Sequence, residues 1–216
     1  MQLPFTIEEF LNVFTTYNTA VWPAQIALNS VALAAIGLCF RREVPSRLIS
    51  ALLGMLWLWT GIVYHLGFFL RINPAALAFG ILCIVQGGIF LGAGAWGRGL
   101  KFRFTPHWRT SVGGALLLYG LVIYPVLGYF LGHRYPASPT FGAPCPTTIF
   151  TFGLLLWATS RVNWFYYMLP LIWSLIGFTA ALNLGVREDI GLLVAGIAGT
   201  LLLAMRQTPQ PAEGQK

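Results

Sequence analysis

The stretch AALAFGILCIVQGGIFLGAGAW, Ala75–Trp96, runs for 22 residues without a charged side chain and with one strongly polar one, Gln86. About 20 apolar residues carry an α-helix across the hydrocarbon core of a bilayer, so this segment reads as a membrane span. The rest of the composition agrees. Residues of the AVILMFWYC set make up 57% of the 216-residue chain and charged residues only 9%, against roughly 25% in an average soluble domain. Mean hydropathy is +0.72. A soluble enzyme, a nucleic-acid binder and a disordered chain are excluded. The net charge of +7 then reads as loop charge that orients a membrane protein. The expected class is all-α: an integral membrane helical bundle.

Charge-free runs on either side of Ala75–Trp96 bring the number of candidate spans to seven: Thr19–Phe40, Leu48–Leu70, Ala75–Trp96, Thr110–Gly132, Thr147–Ser160, Trp164–Gly185 and Ile190–Met205. The fifth and seventh are short, which leaves open a six-span arrangement with one of them re-entrant. Loop bases set the orientation. With the N-terminus outside, the inner segments hold Arg41, Arg42, Arg47, Arg98, Lys101, Arg103, Arg109, Arg161, Arg206 and Lys216, and the outer ones only Arg71, Arg134 and Arg187. The expected topology is N-out and C-in.

Residues 1–18 have no basic n-region and do not resemble a cleaved signal. Thr6-Ile7-Glu8-Glu9 is a capping box, and Phe10, Val13, Phe14 and Tyr17 follow at helical spacing, so a short amphipathic helix is expected to lie on the outer membrane surface. Residues 19–205 form the transmembrane helical domain, and 206–216 read as a disordered cytoplasmic tail with nothing apolar to bury. Gly88 with Gly92, and Gly191 with Ala195 and Gly199, are small-residue stripes that suit close helix packing, and either is a candidate homo-oligomer contact. Trp57, Trp59, Trp96, Trp108, Trp157 and Trp164 mostly lie toward span ends, as interfacial belts do. No internal repeat marks an inverted-repeat transporter.

Polar groups inside a span are functional candidates, and most here sit in the outer half. Asn18, Trp22, Gln25 and Asn29 are spaced to share one helix face. His65 lies five residues before the outer end of the second span, followed by Arg71 and Asn73. Asn183 stands near Arg187, Glu188 and Asp189, and Gln86 near the middle of the third span. The connection Gly132–Thr148, with Pro136, Pro139, Pro144 and Pro146, should not be helical. It carries His133, Tyr135, Phe141 and Cys145 and few charges, so it is expected to pack over the outer mouth; a rigid connector is the alternative. His107 belongs to a basic inner loop.

The chemistry these residues offer is limited. His65, His133 and Cys145 are weak candidates for a soft metal site, without supporting spacing, so no metal and no cofactor is expected. Cys39, Cys83 and Cys145 are too few and too scattered for a disulfide framework. No nucleophile triad, phosphate loop or haem motif is present, so no catalytic residue is assigned, and no carboxylate is expected inside a span.

Several segments together resemble a known family: Tyr17-Asn18 with Val21-Trp22-Pro23, Tyr64-His65, Ile72-Asn73-Pro74, Gly132-His133 with Tyr135-Pro136, and Phe141-Gly142 through Cys145-Pro146 to Ile149-Phe150-Thr151-Phe152-Gly153. The family consists of small bacterial multi-pass membrane proteins and is known as a domain of unknown function, number six thousand and sixty-four. The similarity spans the chain, and the Pro-Cys-Pro segment is its most specific part. It implies a bacterial inner-membrane protein and brings no activity, substrate or cofactor.

The function expected from the residues is small-solute transport, channel activity or sensing through a polar cavity facing the periplasmic side. Its lining is expected from Asn18, Trp22, Gln25, Asn29, His65, Arg71, Asn73, His133, Tyr135, Cys145 and Asn183. The lipid bilayer and an unidentified small solute are the expected partners, with no nucleic acid. Two alternatives come from other classes: a membrane enzyme or redox/metal accessory protein using His65, His133 and Cys145, and a structural or assembly partner without a ligand.

Overall fold

The computed structural model describes residues 4–96 and 99–205. Arg98 and the tail 206–216, with Arg206 and Lys216, lie outside the described residues. Among those described, the chain forms eight helices and no strand: α1 Ile7–Val21, α2 Ala24–Leu38, α3 Ser46–Arg71, α4 Ala76–Trp96, α5 Trp108–Phe130, α6 Pro144–Leu156, α7 Met168–Leu184 and α8 Arg187–Met205. All-α is therefore the class. Four of these, α3, α4, α5 and α8, are long and apolar enough to cross a membrane, and the α1–α2 pair passes the same test as one bent unit. At 13 and 17 residues, α6 and α7 fall short, so helix length alone does not carry a count of seven.

α1 begins at the capping box: the Thr6 amide donates to Glu9 Oε2 at 2.8 Å and the Glu9 amide to Thr6 Oγ1 at 3.2 Å. It continues to Val21, past the expected boundary at residue 18, and α2 leaves it at 87° across Trp22-Pro23. The apolar face of α1 packs on the end of α3. Phe14 and Tyr17 meet the Tyr64 ring at 5.4 Å each, and Phe10 meets Phe69. Stacked and edge-on rings of this kind add about 0.5–1.5 kcal/mol per pair beyond their buried area.

The connection between α4 and α5 ties three other elements together. The Phe104 amide donates to the Cys39 carbonyl, that of Phe102 to Ser46 Oγ, and that of Arg103 to the Trp157 carbonyl. Arg41, Arg42, Arg47, Lys101, Arg103, Arg109 and Arg161 gather at this end, hereafter the basic end. Arg71, Arg134 and Arg187 sit at the other. From α2 to α8 the chain reverses direction at each connection.

α6 is the axis of the bundle. Every residue from Pro146 to Leu156 is buried. Its Thr151 hydroxyl accepts the Trp57 indole N–H at 3.0 Å. The α5–α6 crossing depends on Gly113 and Gly153: a Cβ on Gly153 would stand 2.9 Å from the Gly113 carbonyl, and one on Gly113 2.8 Å from the Gly153 carbonyl. α3 and α4 approach through Gly54, Gly61, Gly80 and Gly87 in the same way. The stripes expected to pack behave differently. A Cβ on Gly88 would meet nothing, whereas Gly191 lies against Tyr119 and Gly199 against Phe152 within the chain. The Gly191/Ala195/Gly199 stripe is thus already filled and is unavailable to a second copy.

Two further expectations need correction. Trp57 and Trp157 are interior, with the Trp157 indole donating to the Thr110 carbonyl, and Trp59 donates to the Tyr17 hydroxyl at 2.8 Å. Position near the end of an apolar run does not fix which way an indole points. Trp96, Trp108 and Trp164 are exposed, all at the basic end. The Pro-Cys-Pro segment is also helical: Pro144, Cys145 and Pro146 form the first turn of α6, where proline lacks only amides that no helix would use.

Candidate functional site

Opposite the basic end, the segment 133–143 is latched onto α1 and α2 by one buried asparagine. Asn18 Nδ2 donates to the carbonyls of Pro136 at 2.7 Å and Ser138 at 2.8 Å. Its Oδ1 accepts from Gln25 Nε2 at 2.6 Å and from the Thr140 hydroxyl at 2.8 Å. Asn18 has no exposed surface, so all four bonds form out of water. Gly142 completes the fit: its φ of +98° is left-handed, and a side chain there would run into Leu28 and the Tyr17 hydroxyl. These contacts lay the segment as a cover over α1 and the start of α2.

Beneath the cover lies a cavity of about 520 Å³ between α1, α3, α6, α7 and the start of α4. Aromatic rings dominate its wall, among them Phe5, Phe14, Tyr64, Phe69, Phe79 and Trp173. Asn73, Cys145, Asn183 and Asp189 supply the hydrogen-bonding side chains, with the Thr179 hydroxyl and the Tyr64 phenol. None of the described residues that line it is basic.

Asp189 has no cationic partner among the described residues. The Tyr124 hydroxyl donates to Oδ1 at 2.6 Å, and the Cys145 thiol lines the same cavity. Its neighbour Glu188 is fully buried and turns the other way, to His133 Nδ1 at 2.6 Å. The Tyr119 hydroxyl anchors the Glu188 carbonyl at 2.7 Å. One carboxylate thus has a histidine partner near the surface, and the other faces the cavity without a cation.

The expected site residues separate into groups. Asn73, Cys145 and Asn183 reach the cavity. Asn18 and Gln25 are consumed by the latch. His133 belongs to the Glu188 pair. Trp22 and Tyr135 are exposed, Arg71 is exposed with its guanidinium over the Phe68 ring, and Asn29 bonds back to its own helix at the Gln25 carbonyl. The shared face expected for Asn18, Trp22, Gln25 and Asn29 does not exist, because the break at Trp22-Pro23 turns the second pair relative to the first. His65 is fully buried behind the cavity wall, with neither ring nitrogen hydrogen-bonded and with the Phe79 and Trp173 rings beside it. It lies in the π-helical stretch Thr60–Phe68 of α3, a widened turn of a kind frequent at functional sites. Gln86 points elsewhere, donating to the Tyr166 carbonyl. His65, His133 and Cys145 do not converge, and among the described residues no three His, Cys, Asp or Glu side chains cluster as metal ligands.

The profile of a family of unknown function, DUF6064, matches residues 7–213. The chain belongs to this family. No curated protein and no solved structure matches it. Two site residues of this DUF6064 member escape a reading of the sequence, Glu188 and Asp189. They fall between the expected spans Trp164–Gly185 and Ile190–Met205, and on those bounds no carboxylate is expected inside a span. The structure buries both in the first turn of α8. The available signal was local: a helix whose N-terminal turn carries acids is favoured by the helix dipole, which extends the last span back to Arg187.

Proposed function

We propose that the protein binds a small organic cation in the aromatic cavity, as the recognition step of transport or sensing across the bacterial inner membrane. Asp189 carries this reading: a buried carboxylate on an aromatic wall with no basic group in the lining. Ring faces attract cations, more strongly when water is excluded, and a carboxylate in that setting supplies the countercharge. The polar cavity expected from the sequence becomes an aromatic one with a single ionic handle, because Asn18 and Gln25 are spent on the cover.

Benzyltrimethylammonium is a suitable probe, read by Trp173 fluorescence with the protein in nanodiscs. Asp189→Asn keeps the Tyr124 hydrogen bond but removes the charge, and affinity should fall by about 10- to 100-fold, as expected for a charged hydrogen-bonding partner worth about 1.5–3 kcal/mol. Equal binding of the neutral carbon analogue neopentylbenzene, or full affinity in Asp189→Asn, would reject a cation site.

The same proposal places the cavity on the periplasmic side, with seven crossings, the N-terminus outside and the C-terminus inside. Bases crowd the opposite end seven to three among the described residues, and α2 to α8 alternate in direction. The shortness of α6 is no obstacle, since a helix enclosed by protein need not match the lipid thickness. With Cys145 replaced by Ala, Tyr135→Cys should react with a membrane-impermeant maleimide on intact cells, and Trp164→Cys only after permeabilisation. The reverse order would invert the topology, and equal labelling would break it.

A further inference from the structure

Two adjoining hollows at the basic end share Ala93 of α4 as a common wall. One is an apolar groove of about 820 Å³ between α4 and the turn before α7, lined by Gly88, Gly92, Trp96 and Phe165. The other, of about 600 Å³, is lined by Arg47, Lys101 and Arg103 together with Ser46 and Thr159. Glu43 is the one acid described at this end, and it does not line the hollow. Arg103 gives one N–H to the Arg42 carbonyl at 2.8 Å, and neither Arg47 nor Lys101 has an acidic partner among the described residues. Trp96 and Trp164 stand exposed nearby, at the level where indoles meet the lipid headgroups.

We infer that these hollows form one binding site for an anionic phospholipid of the inner leaflet, its phosphate among Arg47, Lys101 and Arg103 and an acyl chain in the Gly88–Gly92 groove. Three features decide for a lipid over a second copy of the chain. The groove leads from the middle of α4 to its basic end, parallel to an acyl chain. It opens beside a strongly positive hollow, which a second copy of a chain so poor in acids at this end cannot neutralise. Basic pockets between helices on the cytoplasmic side are suited to anionic headgroups. The absence of a side chain at Gly88 leaves open space in which a methylene chain fits.

The test uses the full chain purified in micelles containing equal phosphatidylglycerol and phosphatidylcholine, with bound lipid counted by native mass spectrometry. Wild type should retain phosphatidylglycerol preferentially. Arg47→Gln with Lys101→Gln should lower its retention at least about tenfold, since each surface base contributes about fivefold toward an anionic headgroup. Gly88→Leu, which meets no protein atom at Cβ, should lower it as well while leaving the melting temperature unchanged. Unchanged retention in both variants would overturn the site. Loss in the charge variant alone would remove the acyl groove from it. Displacement of the lipid by millimolar inorganic phosphate would make it a phosphate site, and a dimer that Gly88→Leu dissociates would make the groove a contact between copies.

Discussion

Gly153→Ala should destabilise the protein by about 3 kcal/mol, the upper part of the range for overpacking a well-filled interior. The added carbon lands 2.9 Å from the Gly113 carbonyl and against Leu117. Neither the backbone oxygen nor the enclosed α6 can move without parting α5 from α6. That parting also breaks the Trp157 indole bond to the Thr110 carbonyl. Gly153→Leu should leave no folded protein in detergent. Gly88→Ala, with open space around its Cβ, is the control and should melt within a degree of wild type. Thermal unfolding of the purified chain checks all three; for a protein of this size 3 kcal/mol corresponds to about 6–12 °C. A wild-type melting point for Gly153→Ala would mean that the two helices do not touch there.

Asn18→Ala should open the cover over the cavity. The substitution strands the Pro136 and Ser138 carbonyls, which lose the Nδ2 donor. Each stranded buried group costs about 1–3 kcal/mol, so the latch loses roughly 2–6 kcal/mol. Asn18→Asp is the sharper comparison. It keeps the shape and the acceptor for Gln25 and Thr140, but sets an oxygen against two carbonyls, and it should open the cover as fully as alanine does. Cys145 is a free thiol on the cavity wall and reports the change. Its reaction with maleimide in folded protein should accelerate at least about tenfold in both variants, a latch loss of 1.4 kcal/mol already being sufficient. Slow labelling of Asn18→Asp would show that shape, not donor chemistry, holds the segment down.

The long helices were legible because apolar runs such as Ala75–Trp96 announce themselves by the charges they lack. The latch was half legible: Asn18 and Gln25 stood out among the polar residues of the outer half, but Asn18 donates to two backbone carbonyls more than a hundred residues away, which carry no signature in sequence. Facing direction was the least legible property. Trp57, within the apolar run Leu48–Leu70, was grouped with the interfacial anchors, and its bond to Thr151 on α6 shows that it is not one. Asp189 was misread for a related reason. The charge-free run that marks the last span begins only at Ile190, and the group that holds Asp189, Tyr124, comes from another helix. Pro144 and Pro146 were read for what they forbid within a helix, although the first turn is the place where that prohibition lapses.

The enclosure of α6 also bears on how the molecule is assembled. A chain made from its N-terminus presents α2 to α5 first, and α6 leaves the ribosome before the helices that will cover its remaining flank. Phe152 has its seat against Gly199 only once α8 has arrived. Until then, Pro144, Cys145 and the hydroxyls of Thr147, Thr148 and Thr151 belong to a segment that is poorly suited to lipid and too short to hold its place there. The last helix to be synthesised is therefore the one that seals the centre. A nascent chain halted before Arg187 would leave its most deeply packed helix without a wall, a ready target for quality-control proteases.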